Sequence, residues 1–270
     1  MSQAVIDTPE ELTVDVAEIV TEDDTPVDNL FSEKQQRLLT ESLYNSWGGP
    51  EGEGGQRRKF LVAANVGLFP SVHQPPLVPD VFLSLDVEVA EEWYEKRHRT
   101  YFFWEFGKPP EVVIEIVSNR RGDELGSKLQ DYARIAVSYY VVYDPGQMLG
   151  EEELRVYELY GGRYQRREDG SLPGVGLGVV LWEGVYEGKR ARWLRWCDEK
   201  GELIATGAEN TAREAERAAR AEERATLEAE RAARAEERAT LEAERAARAE
   251  ERAARLAARM RELGVDPDQP

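Results

Sequence analysis

Asp80 follows Pro79 at the opening of an apolar run, and Glu115 stands inside a β-branched run thirty-five residues later. Lys128 and Tyr132 follow at helical spacing, one turn apart. Two carboxylates at the ends of apolar strands, with a lysine on the next helix, are the groups needed to hold Mg²⁺ against a phosphodiester and activate a water. The chemistry they suggest is metal-assisted hydrolysis. Glu115 is the strongest single pointer, because a carboxylate inside such a run is costly unless it is paired or bound to a cation.

The elements that must carry these groups can be read around them. Val78 to Leu85, opened by Pro75, Pro76 and Pro79, suits a strand whose first amide need not pair, with Asp80 at its start. Glu111 to Ser118 reads as a buried central strand after Gly107-Lys108-Pro109-Pro110. A polar loop over 119–123 then ends in Asp123, which can cap a helix carrying Leu125, Leu129, Tyr132 and Ile135 or Ala136. Val137 to Tyr143 is a second buried strand, stopped by Asp144-Pro145-Gly146. Strand, helix and strand in about thirty residues predict a βαβ unit with a right-handed crossover.

The ordered set Pro79-Asp80-Val81, Glu115-Ile116-Val117-Ser118, Asp123, Lys128-Leu129, Tyr132 and Tyr139 to Pro145 resembles the Uma family of bacterial restriction endonucleases, within the PD-(D/E)xK nuclease superfamily. The resemblance covers residues 31 to 200, and the closing Leu263-Gly264-Val265-Asp266-Pro267 fits it as well. It implies a restriction-endonuclease-like α/β fold: a mixed β-sheet core flanked by helices, followed by a long C-terminal helix. It also implies that Asp80, Glu115 and the carbonyl of Ile116 hold Mg²⁺ or Mn²⁺, with DNA as substrate. The superfamily's usual lysine two residues after the Glu is replaced by Val117, and the resemblance moves that role to Lys128. From there an ammonium could supply positive charge to the transition state.

Composition sets the outer bounds. A chain of 270 residues, 41% hydrophobic, has room for one α/β domain of about 170 residues plus appendages. The single cysteine, Cys197, rules out an internal disulfide and, between Trp193, Trp196 and polar neighbours, reads as a packed thiol. No run approaches a membrane span and the N-terminus is acidic, so a cytoplasmic protein is expected. The net charge of −18 opposes DNA binding, but residues 1–33 carry ten acids and no Lys or Arg, which leaves the central region only mildly acidic.

Four domains are expected: an acidic, disordered leader over 1–30, a nuclease-like domain over 31–207, a long Ala/Glu/Arg helix over 208–264 and a tail over 265–270. Ser32 to Gln35 has the form of a capping box opening a helix with Leu38, Leu39 and Leu43 on one face. Glu41 on that helix either approaches the metal or lies at the surface. Two basic segments could touch phosphates: Arg57-Arg58-Lys59, and Lys96-Arg97-His98-Arg99 among Trp93, Tyr94, Tyr101, Phe102, Phe103 and Trp104. The competing reading packs those aromatics on the sheet and leaves the bases in water. His73 and His98 are too isolated to be metal ligands.

Beyond residue 151 the pattern continues as β structure, with Leu154 to Tyr160 alternating and Gly161-Gly162 turning. The last region repeats: residues 215–228 recur unchanged at 229–242 and nearly so at 243–256, two heptads each. Pairs such as Glu216 with Arg220 support a helix, but a seam of Ala218, Ala225 and Ala232 buries little area. The helix is therefore either solitary or a weak homodimer contact, and a truncation near Ala208 should leave the head folded. Three functions compete: a Mg²⁺-dependent endonuclease, a nucleic-acid-binding or assembly protein on a decayed nuclease fold, and a coiled-coil adaptor.

Overall fold

The computed structural model describes residues 29–118 and 123–262. The expected acidic leader, most of the 119–123 loop and the Gly264–Pro267 helix stop lie outside the described residues. The chain divides into two units at Glu209, one running to that residue and one starting at Asn210.

The first unit opens with helix α1, Leu30–Ser42, which continues as one π-type turn over Leu43–Trp47. Its cap is Asn29, whose side-chain oxygen accepts the N–H groups of Phe31 and Ser32 at 3.0 Å each. The capping box expected at Ser32 is thus displaced by three residues, because Asn29 fills that role and leaves Ser32 buried inside the helix. There follow strands β1 (Phe60–Ala64), β2 (Leu68–Phe69), β3 (Val81–Leu85), β4 (Tyr101–Phe102), the single turn α2 (Phe103–Phe106) and β5 (Val112–Ile116). Helix α3 (Ser127–Arg134) leads to β6 (Tyr139–Tyr143), β7 (Leu154–Tyr160), β8 (Arg163–Arg167), β9 (Ser171–Leu172), β10 (Leu177–Tyr186) and β11 (Lys189–Cys197).

Six of these strands form one mixed sheet in the order β1-β3-β5-β6-β7-β8, in which only β5 and β6 run parallel. A parallel pair needs a crossover, and α3 supplies it. One face of the sheet, with Leu83, Ile114, Val141 and Val156, packs on Leu39 and Leu43 of α1 and on Leu177, Leu194 and Trp196 of the antiparallel β9-β10-β11 sheet. The other face, with Phe82, Val113, Tyr140 and Val142, packs on Tyr132 of α3 and on Leu68 and Tyr101 from the parallel β2-β4 pair. Cover on both faces is why β3, β5 and β6 read as continuous apolar runs and not as alternating ones. The expected α/β architecture of a helix-flanked mixed sheet and a long C-terminal helix is the one the chain adopts.

Two glutamines fix α1 on this core. Gln35 donates to the Leu194 carbonyl at 2.8 Å and accepts the Leu194 N–H at 3.0 Å, tying the helix to β11. Gln36, next to it, turns toward the start of β3. Cys197 is buried, as its neighbours suggested, and burial pushes its thiol pKa up.

The long helix α4 spans Gly207–Glu262, about 84 Å at ~1.5 Å per residue. Thr206 and Glu209 form a reciprocal capping box: Thr206 N–H donates to Glu209 Oε2 at 2.9 Å, and Glu209 N–H donates to Thr206 Oγ1 at 3.2 Å. Past that turn the helix is exposed and carries the expected i,i+4 pairs, including Glu216–Arg220 and Glu230–Arg234. Leu227, Leu241 and Leu256 are all exposed.

Glu209 belongs to the head in a further sense. The Arg195 side chain of β11, 2% exposed, donates to Glu209 Oε1 at 2.8 Å and Oε2 at 2.7 Å, and stacks over the Trp182 ring. A chain ending at Ala208 would therefore strand a buried guanidinium, at a cost of about 3 kcal/mol. We predict that truncation after Ala208 lowers the unfolding free energy of the head by that amount, read as a lower urea midpoint, whereas truncation after Ala212 leaves both unchanged. Equal midpoints for the two truncations would show that Arg195 does not depend on Glu209.

Candidate active site

Strand register brings the acids together. Val81 of β3 faces Ile114 of β5 in an antiparallel pair, so one step further Asp80 stands opposite Glu115 and Pro79 opposite Ile116. Directly opposed residues of such a pair project from the same face. Pro79 has no N–H with which to continue the ladder. The Asp80 carboxylate takes over instead, its Oδ2 accepting the Ile116 N–H at 2.5 Å.

The other Asp80 oxygen belongs to a second set of contacts. Gln36 donates to Asp80 Oδ1 at 2.9 Å, and Asn65 donates to Gln36 Oε1 at 2.9 Å. Asn65 also closes the β1–β3 end by donating its N–H to the Asp80 carbonyl, at a left-handed φ of 54° that asparagine tolerates. Position 36 falls three residues before Leu39 and seven before Leu43, so one face of α1 presents both its apolar anchors and the amide that orients Asp80.

Glu115 is 2% exposed, yet both its oxygens are paired. The Tyr132 hydroxyl donates to Oε1 at 2.7 Å and the Lys128 ammonium to Oε2 at 2.9 Å. Desolvating a carboxylate costs several kcal/mol. Two hydrogen bonds to a charged group, at about 1.5–3 kcal/mol each, offset much of that. Burial nevertheless dominates and raises the Glu115 pKa above the usual carboxylate value, Glu124 pushing the same way and Lys128 and Tyr132 opposing. For Lys128, burial pulls downward, but Glu115, Glu124 and Asp80 outweigh it and raise the ammonium pKa. Burial also holds Tyr132 well above its ordinary value, so it remains a proton donor to Glu115.

The helix that supplies these donors starts later than its sequence suggests. Leu125 lies in a turn and is exposed, and α3 begins only at Ser127. Asp123 does act on the helix start, its Oδ2 accepting the Ser127 N–H at 2.7 Å, which lowers its pKa. The turn leaves Glu124 5% exposed, with one carboxylate oxygen 3.7 Å from the Lys128 ammonium.

Several expected contributors stand elsewhere. The buried side of α1 that meets Asp80 carries Gln36, while Glu41 lies on another side of the helix, among Asn45, Trp182 and Tyr186. Arg58 and Lys59 are ion-paired with Asp86 and Glu88, and Arg57 donates to the Gly49 carbonyl. In the second basic segment Tyr101 and Phe102 are buried while Trp93 and Tyr94 are exposed, so its aromatics are divided between core and solvent. Val117 is buried in the core. Gln36, Asn65 and Glu124 escaped the sequence reading; a pair of glutamines beside leucines on a core-facing helix was the signal for the first.

The donor set fits a hard divalent cation. Mg²⁺ is commonly held by one or two carboxylates with several waters, and Asp80 and Glu115 supply two, beside an Ile116 carbonyl whose opposite residue, Pro79, has no N–H to give. Among the described residues no group of three or more His, Cys, Asp or Glu side chains is arranged to hold a metal.

A mixed sheet with an Asp at the start of one strand, a Glu inside its neighbour and a lysine on the crossover helix defines a nuclease-like α/β protein. A family model named Uma2, with the description "Putative restriction endonuclease", matches residues 20–176, more than half of the chain and all of the residues just described. The chain belongs to the Uma2 family. No curated protein matches it.

The raised Glu115 pKa has a signed consequence. A carboxylate whose folded pKa exceeds its unfolded one contributes stability at low pH that is lost as pH rises through the folded value. In cation-free buffer, the stability of wild type relative to Glu115→Gln should therefore fall as pH rises from below 4.5 toward neutrality. Denaturant unfolding across that range checks this. A relative stability that grows with pH would mean that Lys128 and Tyr132 overcome burial.

Proposed function

We propose that the head is a metal-dependent DNA endonuclease that hydrolyses phosphodiester bonds. The observation that carries this reading is the convergence where β3 begins and its partner β5 ends. Lys128 lies 2.9 Å from Glu115, and Asp80 is bonded to the N–H of the very next residue, Ile116. A divalent cation, Mg²⁺ or Mn²⁺, held by Asp80, Glu115 and the Ile116 carbonyl, would neutralise phosphodiester charge and acidify a water. Gln36 keeps Asp80 oriented, and Tyr132 keeps one Glu115 oxygen fixed by a proton it does not surrender. Lys128 supplies a positive charge beside the scissile phosphate, in the role that Val117 cannot fill.

The reading extends to a cytoplasmic setting and to a homodimer joined through α4, where Leu227, Leu241 and Leu256 offer exposed apolar contacts. Among the described residues no helix is long and apolar enough to cross a membrane. A second reading, a nucleic-acid-binding or assembly protein on a decayed nuclease fold, draws support from Val117 and from the ion pairs that occupy Arg58 and Lys59.

Supercoiled plasmid with Mg²⁺ or Mn²⁺ separates the two. Nicked or linear product should appear with wild type and fall at least about a hundredfold with Asp80→Ala or Lys128→Ala. Retarded plasmid with no cleavage under either ion would establish the second reading, and cleavage surviving in Asp80→Ala would remove these residues from the site.

A further inference from the structure

The Glu124 carboxylate has no part in the chemistry proposed above. Its residue is 5% exposed, and its Oε2 has no hydrogen-bond partner among the described residues. An unpartnered buried carboxylate oxygen costs free energy, so a site that keeps one invites a role for it. Glu124 is also held firmly in place. The Tyr140 hydroxyl donates to its carbonyl at 3.0 Å, and the turn that carries it is closed by Gly126 N–H donating to the Asp123 carbonyl at 3.0 Å. Gly126 allows this turn, because a Cβ there would meet the Asp123 carboxylate at 2.3 Å.

Glu124 is four residues before Lys128, and its Oε1 is 3.7 Å from the ammonium, against 2.9 Å for Glu115 Oε2. The ammonium thus lies between two carboxylates, bonded to one and within a small movement of the other. A cation held by Glu115 must use oxygens that Lys128 and Tyr132 now occupy, and it repels a neighbouring ammonium. The lysine stem, about a third exposed, has room to swing.

Resting on the metal-dependent reading above, we infer that Glu124 is a positioning residue that receives Lys128 when a divalent cation takes Glu115. The ammonium exchanges Glu115 Oε2 for the Glu124 carboxylate, whose Oε1 is already 3.7 Å away, keeps a carboxylate partner throughout and stays beside the site. No covalent bond changes. The exchange also makes cation affinity depend on a residue that does not touch the cation.

A double-mutant cycle on the full chain tests this, with Mn²⁺ binding measured by titration calorimetry. Glu124→Gln, close in shape but neutral, should weaken Mn²⁺ binding about tenfold in the wild-type background and less than about threefold beside Lys128→Met, because the methionine needs no acceptor. Glu124→Asp, which keeps the charge, should recover part of the loss. The melting temperature of each cation-free variant shows that it is folded. An equal loss in both backgrounds would make Glu124 a direct ligand or a general source of charge, and no loss in either would make it structural; both outcomes overturn the exchange. Absence of Mn²⁺ binding to wild type itself would overturn the metal-dependent reading as well, which separates the two failures.

Discussion

The head is organised around one buried charge. Glu115 sits in the middle of a sheet covered on both faces, where an unpaired carboxylate would cost several kcal/mol. Everything that makes it tolerable comes from α3, which contributes Tyr132 to one oxygen and Lys128 to the other. The crossover that joins β5 to β6 therefore does two jobs, closing a parallel pair and delivering the donors. Replacing Glu115, Lys128 and Tyr132 by apolar residues would be an easier way to fill the same space, so retention of the polar set is better explained by chemistry than by folding.

Asp80 reaches the same site by a different device. The proline before it ends the β3 ladder, and the carboxylate stands in for the missing backbone group by bonding to Ile116. One α1 glutamine then holds the remaining oxygen while its neighbour ties that helix to the second sheet. A single helix thus links the start of β3 with β11.

Much of this was legible in the chain. The runs at 81–85, 112–116 and 139–143 announced buried strands because cover on both faces removes alternation, and Glu115 stood out as the one acid in such a run. What sequence could not give was depth and direction. The buried Glu124 looks like a surface residue in a linear string, since only the turn before α3 sends it inward, while Gln36 is signalled only by its place beside core-facing leucines. The start of α3 was misread for a related reason: Leu125 has helical spacing, but Asp123 and Gly126 form a turn that exposes it. Glu209 likewise looks like the first acid of a repetitive helix, while in the fold its carboxylate is the partner of Arg195.

If Asp80 and Glu115 share a divalent cation, ligand linkage measures it most directly. A cation that binds the folded head and not the unfolded chain stabilises by about 2.7 kcal/mol at a hundred times its dissociation constant. Thermal unfolding of the full chain should shift upward with added Mg²⁺ or Mn²⁺, and the shift should vanish in the Asp80→Ala/Glu115→Ala variant. A melting temperature that ignores both ions, or that rises equally in the variant, would contradict the account.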